Sequence, residues 1–403
     1  MQSRKELSIA VDTGRQHMSR PTSCSRRRVL AGAMGAGIAH MDLGKISRGA
    51  AAANAKVSNV ENVQASLLID FAAAADGWNV INFGIGPTSE VTLLLVDIAA
   101  PYQMAPEYTG PRPSGQLPPA HYRIVQFGLG ESGEVAPVAT LDLGPTEAHV
   151  LSGDRLPDGR WLAVQYPSNN GYSTQVLRDD GGIDAQLTIG IIGPVQVTGD
   201  GRIWGGYGDE SIFAGDDLTA GGIVCLDSTG EPLFRFNHDA TGPGGAPSVW
   251  SVGGINVVSD DEVWVTYYAD DPPEPNSDPE EYYALVKLRD YGVERVWPWR
   301  VVLEQAPAKP PDSFAVHGDR LLLQGSGFGL GDRPPTSDHP YGRLYSVPLG
   351  GGGATEMLPV DEDGNWIGPF RSEGRGSRLY LATWRGLRVV DLESVPSSDQ
   401  TSA

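Results

Sequence analysis

The chain has 403 residues, 40% of them hydrophobic, with a formal net charge of −20, enough apolar material for one large single-core domain or two smaller ones. Residues 1–55 carry nine Lys and Arg against three Asp and Glu, and the remainder carries 21 against 47, a net of −26. So acidic a body argues against nucleic acid and anionic membrane surfaces as partners, since both repel it at long range.

The N-terminus reads as an address. Ser25-Arg26-Arg27-Arg28-Val29-Leu30 is followed by the weakly apolar run VLAGAMGAGIA, too short to span a bilayer. It resembles a twin-arginine export signal, with Val29 where that motif prefers Phe. Ala53-Asn54-Ala55 offers small residues for cleavage, and Met18 is an alternative start to Met1. The resemblance implies export to the periplasm, cell wall or exterior, with a cytoplasmic location as the alternative. Of the two cysteines, Cys24 lies in this leader and Cys225 in the body, so the mature protein is expected to have no internal disulfide.

Beyond residue 55 no helical period is sustained, and 52 Gly and 31 Pro fit a chain that turns constantly. Short apolar strands recur instead in sets of four. Such sets are predicted at 78–143, 150–189, 195–237, 254–300 and 313–360, and a shorter one at 368–392. A four-stranded unit repeated along a chain is the signature of a β-propeller. The sequence therefore predicts an all-β, six-bladed propeller of four-stranded antiparallel blades, with seven blades as the alternative. The last set has three strands, and ASLLIDF at 65–71 is the N-terminal strand expected to close it, which removes an exposed sheet edge. The expected domains are an export signal and disordered leader at 1–55, the propeller at 56–394, and a disordered tail at 395–403.

Asp158-Gly159, Asp200-Gly201, Gly318-Asp319 and Asp260-Asp261 each precede the second strand of a set and read as hairpin turns rather than metal ligands. Loop length is sorted: turns between first and second, and third and fourth strands are short, whereas second-to-third loops and inter-blade links are long. The long group includes 100–120, 208–220, 269–281, 326–341, 238–248 and 301–311. In a propeller the two groups lie on opposite ends, so the long-loop end is the expected functional face.

On that face Trp204, Tyr207, Asp209 and Glu210 leave the sheet in one set, as do Tyr267 and Asp270 in the next, with His238 and His339 in nearby loops. These eight residues are the candidate ligand-binding set. Exposed Tyr and Trp beside carboxylates suit a carbohydrate or a protein surface. Carboxylates from successive blades could instead hold Ca²⁺ as a cofactor, or act as an acid and base pair. The other reading of the same residues is that the rings pack between blades and the acids solvate the loops.

The run Trp204-Gly205-Gly206-Tyr207-Gly208-Asp209-Glu210, followed by Gly222-Ile223-Val224-Cys225-Leu226-Asp227-Ser228-Thr229-Gly230-Glu231, resembles uncharacterised bacterial β-propeller proteins of six-bladed, NHL or lactonase-like architecture. That resemblance supports the fold and brings no activity with it. No G-x-S-x-G elbow, P-loop, GxGxxG or C-x-x-C motif is present. The leading expectation is a secreted or cell-envelope binding protein with a carbohydrate or protein ligand and no transmembrane segment. The alternative is a Ca²⁺-dependent hydrolase or lyase of the lactonase-like type.

Overall fold

A computed structural model describes residues 60–395, apart from 98–119, 130–134, 147–148, 167–172, 188–191, 214–216, 242–244, 270–282, 304, 306–311, 326–341 and 369. The leader, the tail from 396 onward and much of the long-loop group lie outside the described residues. No described helix is long and apolar enough to cross a membrane.

Two strands come first, β1 (Val60–Gln64) and β2 (Ser66–Asp70). Six four-stranded sheets then form a ring, as the sequence predicts. The first is β3 (Asn79–Ile85), β4 (Val91–Val96), β5 (Ala120–Leu129) and β6 (Val135–Thr146). The second is β7 (His149–Arg155), β8 (Trp161–Tyr166), β9 (Ser173–Leu177) and β10 (Ile183–Leu187). The third is β11 (Ile192–Val197), β12 (Ile203–Tyr207), β13 (Ile223–Leu226) and β14 (Pro232–Arg235). The fourth is β15 (Val249–Val257), β16 (Glu262–Ala269), β17 (Tyr283–Arg289) and β18 (Gly292–Pro298). The fifth is β19 (Phe314–His317), β20 (Arg320–Gln324), β21 (Leu344–Pro348) and β22 (Thr355–Val360). In the sixth, β23 (Arg371–Arg375), β24 (Arg378–Ala382) and β25 (Gly386–Asp391) are completed by β2.

The burial pattern follows from this arrangement. Middle strands are covered on both faces by neighbouring blades, so every residue of β4, β12 and β13 is buried. Outer strands have one wet face: in β18 Val293, Val296 and Trp297 are half-buried or buried while Gly292, Glu294, Arg295 and Pro298 are exposed. The turn aspartates behave as read: Gly159 and Gly201 take φ of 93° and 87°, a conformation that needs glycine. Asp158 and Asp200 pair with Arg160 and Arg202 at 2.6 Å and 2.7 Å across those turns.

Ring closure by the N-terminal strand is tied down by side chains. β2 runs antiparallel to β25, with Ser66 opposite Val389 and Asp70 opposite Gly386. Arg388 donates to the Ala65 carbonyl at 2.8 Å and pairs with Glu362 at 2.9 Å, and Glu362 accepts the Leu67 N–H at 2.8 Å. Beyond expectation, β1 adds a fifth strand to the fifth blade, parallel to β22. Its sequence, VENVQ, has an exposed-to-intermediate alternation with no buried position, so apolar patterning does not announce it.

Candidate functional site

The sequence-predicted set divides sharply once placed. Trp204 is 2% exposed, and Tyr207 and Tyr267 are fully buried in the core shared by the second, third and fourth blades. Trp204 lies against Phe234 and Tyr291, with ring centroids 5.7 Å and 6.0 Å away. The Tyr267 hydroxyl donates to the Pro247 carbonyl at 2.9 Å, and burial raises its pKa. These rings finish an inter-blade layer and present no surface to a ligand. Asp209 is exposed at the start of α2 (Asp209–Ile212), and His238 is exposed in α3 (Phe236–Asp239). Both stand on the long-loop end. The Glu210 side chain, Asp270 and His339 lie outside the described residues. No three His, Cys, Asp or Glu side chains gather as a metal ion requires among the described residues.

The first strands of all six blades surround a cavity of about 410 Å³ on the propeller axis. Its lining takes Asn82 from β3, Asp154 from β7, Gln196 from β11, Val252 from β15, Asp312 and Ser313 at the head of β19, and Arg371 and Glu373 from β23. First strands run from the long-loop end towards the short-turn end, so position along each strand reports depth. Late positions close the axis. Arg375 reaches from the sixth blade to the third, donating to the Val197 carbonyl at 2.7 Å and to Gln196 Oε1 at 3.4 Å. Gln196 answers with Nε2 donating to the Gly374 carbonyl at 2.7 Å and accepts the Val257 N–H at 2.8 Å. Asn256 donates to the carbonyls of Phe314 at 2.7 Å and Gly376 at 3.1 Å, and accepts the Gly376 N–H at 2.8 Å. Gln196, Asn256 and Arg375 are all buried, and buried polar groups with every partner in place rigidify what they join. The cavity therefore has a polar floor at the short-turn end, and its earlier strand positions face the long-loop end.

The ionisable groups form a graded series along this axis. At the floor Asp154 is 7% exposed; burial pushes its carboxyl up to about 6, against the Arg155 N–H and the Arg375 charge. Higher up, burial and then the Asp154 charge push Glu373 up to about 8, opposed by the Ile85 N–H, Arg375 and Arg371. A carboxyl protonated at neutral pH beside an ionised one is the pairing that general acid–base chemistry uses. At the head of the strands, Asp312 and Arg371 are exposed side chains that line the mouth of the cavity. Enclosure raises the Asp312 pKa and lowers that of Arg371. Neither side chain makes a hydrogen bond or ion pair among the described residues. Between them, Ser313 Oγ and Ser372 Oγ are hydrogen-bonded at 2.6 Å, and Ser372 also donates to Gln324 at 2.8 Å.

An aromatic strip continues outward on the long-loop end. Tyr283 feels the charge of Asp312. From Tyr283 the ring-to-ring steps are 5.1 Å to Tyr268, 6.0 Å on to Trp250 and 5.5 Å on to Phe213. Phe213 is 61% exposed and Trp250 37%, unlike the buried rings that the sequence singles out.

Asp154, Asp312, Arg371, Glu373 and Arg375 are absent from the sequence-predicted set. One signal was available. RSEGR places charges at alternate positions of a strand whose blade position is innermost, and a charge there needs a partner or a function.

No family model matches the chain, and no curated protein does. Solved structures do show likeness. A Bacteroides caccae protein of unknown function is 13% identical, with 55% of this chain and 81% of that one covered at a TM-score of 0.29. A Thermus thermophilus protein, provisionally assigned as an oxidoreductase (glucose dehydrogenase), is 16% identical, with 82% and 99% covered at 0.40. The polysaccharide lyase Uly1 is 11% identical, with 78% of each chain covered at 0.38. At these identities and scores none of them speaks to function, and the chain is described by its architecture, a six-bladed β-propeller.

Proposed function

We propose that the protein is an exported β-propeller binding protein that holds a carbohydrate on its long-loop end, with the end of the ligand in the axial cavity. The observation that carries this reading is the 410 Å³ cavity lined by first strands of all six blades and floored by the Arg375–Gln196–Asn256 network. A concave site on a rigid scaffold, with a few convergent polar groups, is the usual form of a small-ligand pocket. The strip from Tyr283 to Phe213 supports the choice of ligand, because sugar rings stack on aromatic faces while their hydroxyls seek polar neighbours. Asp209 and His238 stand on the same end as further polar contacts. The Ca²⁺-dependent enzyme reading has no comparable support among the described residues.

Tryptophan fluorescence titrated with a panel of neutral oligosaccharides tests the reading. At least one saccharide should give saturable quenching, and Trp250→Ala should weaken it about tenfold without changing the unfolding midpoint. A panel without any binder, or equal binding by Trp250→Ala, would sink it.

A further inference from the structure

Asp312 and Arg371 are held side by side by the strands beneath them. The Ser313–Ser372 hydrogen bond of 2.6 Å joins the heads of β19 and β23, and the Val316 N–H to Gly376 carbonyl bond of 2.9 Å joins them again lower down. First strands of adjacent blades run in the same direction. Asp312 and Arg371, each one residue before its paired serine, therefore stand level at the long-loop end of the cavity. They sense each other's charge but are not within ion-pairing distance.

The other charges in the cavity are already accounted for. Arg375 is bonded into the floor and balances Asp154. Glu373 lies on the same strand face as Arg371 by the period-2 rule, and burial pushes its carboxyl up to about 8, which weakens its hold on the guanidinium at neutral pH. Among the described residues, what remains at the head of the cavity is one cation, Arg371, and one anion, Asp312, whose side chains make no hydrogen bond or ion pair with them. An anion alone would meet the −26 field of the body, and a cation alone would meet Arg371. A molecule with one charge of each sign meets neither penalty.

We propose that the head of the axial cavity is a subsite for a small zwitterion bearing an ammonium and a carboxylate on one carbon. Arg371 takes the carboxylate through the two-pronged guanidinium geometry, and Asp312 takes the ammonium. The ring of Tyr283, which feels the Asp312 charge, and that of Tyr268 5.1 Å from it add a surface favourable to a cation. The subsite rests on the long-loop end being the ligand face, and it adds a charged specificity that saccharide stacking does not require.

Isothermal titration with L-alanine, sodium propionate and ethylamine on the unaltered protein tests it, repeated on Arg371→Met, Arg371→Lys and Asp312→Asn. L-alanine should bind at least about tenfold more tightly than either single-charge probe, and Arg371→Met and Asp312→Asn should each cost about tenfold. Arg371→Lys should recover part of the loss. The proposal is overturned if L-alanine binds no better than propionate or ethylamine, or if neither neutralising variant weakens it. The wild-type comparison decides this even where a variant fails to fold. Retained oligosaccharide binding alongside failure with L-alanine would remove the subsite and leave the carbohydrate reading standing. L-alanine binding without any saccharide would do the reverse.

Discussion

Replacing Gly374 with alanine is expected to destabilise the propeller by roughly 3–5 kcal/mol, the range reserved for clashes and broken buried networks. Gly374 sits in β23 where the fifth and sixth blades approach most closely, and a Cβ there would overlap the Phe314 carbonyl oxygen, a backbone atom that cannot rotate away. The strands would have to separate. Separation would also move the Gly374 carbonyl that Gln196 holds at 2.7 Å and the Phe314 carbonyl that Asn256 holds at 2.7 Å, so the floor of the cavity would open with the interface. Gly153→Ala is the control. Its Cβ would approach Ile124 Cδ1 to 2.6 Å and Cγ1 and Cγ2 to 3.2 Å, so a side chain rather than backbone must yield, at a cost of about 1–2 kcal/mol. Thermal unfolding followed by circular dichroism should rank the two variants in that order. Similar midpoints would mean that the fifth and sixth blades do not meet as closely as described.

Glu373→Gln is expected to make the protein more stable at alkaline pH and to leave it nearly unchanged in acid. The Glu373 carboxyl titrates near 4.5 in an unfolded chain and is pushed up to about 8 in the fold. A pKa raised on folding means that the fold prefers the protonated form. The stability it contributes is complete below about 4.5, is lost as pH rises, and is gone above about 8. Asp154, pushed from 3.8 up to about 6, acts in the same direction over a lower window. Glutamine keeps the shape and an acceptor for the Ile85 N–H but carries no charge at any pH. The advantage of the variant should therefore grow between pH 4.5 and 8 and level off at roughly 2–4 kcal/mol. Urea denaturation at pH 4, 6, 8 and 9 measures it. An advantage independent of pH would show that Glu373 is not held in its protonated form.

The architecture was largely legible because it is written locally. Asp-Gly pairs fix hairpins, and wholly apolar runs such as VTLLLV mark middle strands. ASLLIDF, left over ahead of the first set, announces a closing strand. β1 escaped because VENVQ buries nothing, and main-chain pairing to β22 leaves no mark in composition. Of the candidate site, the sequence pointed only to the long-loop end that the cavity faces. Trp204, Tyr207 and Tyr267 stood out as aromatic residues near strand ends, yet which face of a strand is covered depends on the neighbouring blade. Phe213 and Trp250 are open rings beside that layer, and Trp384 is open on the sixth blade. The axial groups were hidden for a stronger reason. Arg375 meets Val197 across 178 residues of sequence, and Asn256 meets Gly376 across 120. Such partners converge only when the ring closes, and no local pattern records that. Asp312 and Arg371 carry the same lesson, since a serine pair 59 residues apart sets them level.

The most direct test of the axial cavity as the ligand site is crystallography of the protein soaked with the saccharide panel and with L-alanine. Bound density between Asn82, Asp154, Arg371 and Glu373, extending towards Trp250, is the predicted result. Density confined to the short-turn end or the outer strands, with the cavity holding only water, would contradict it.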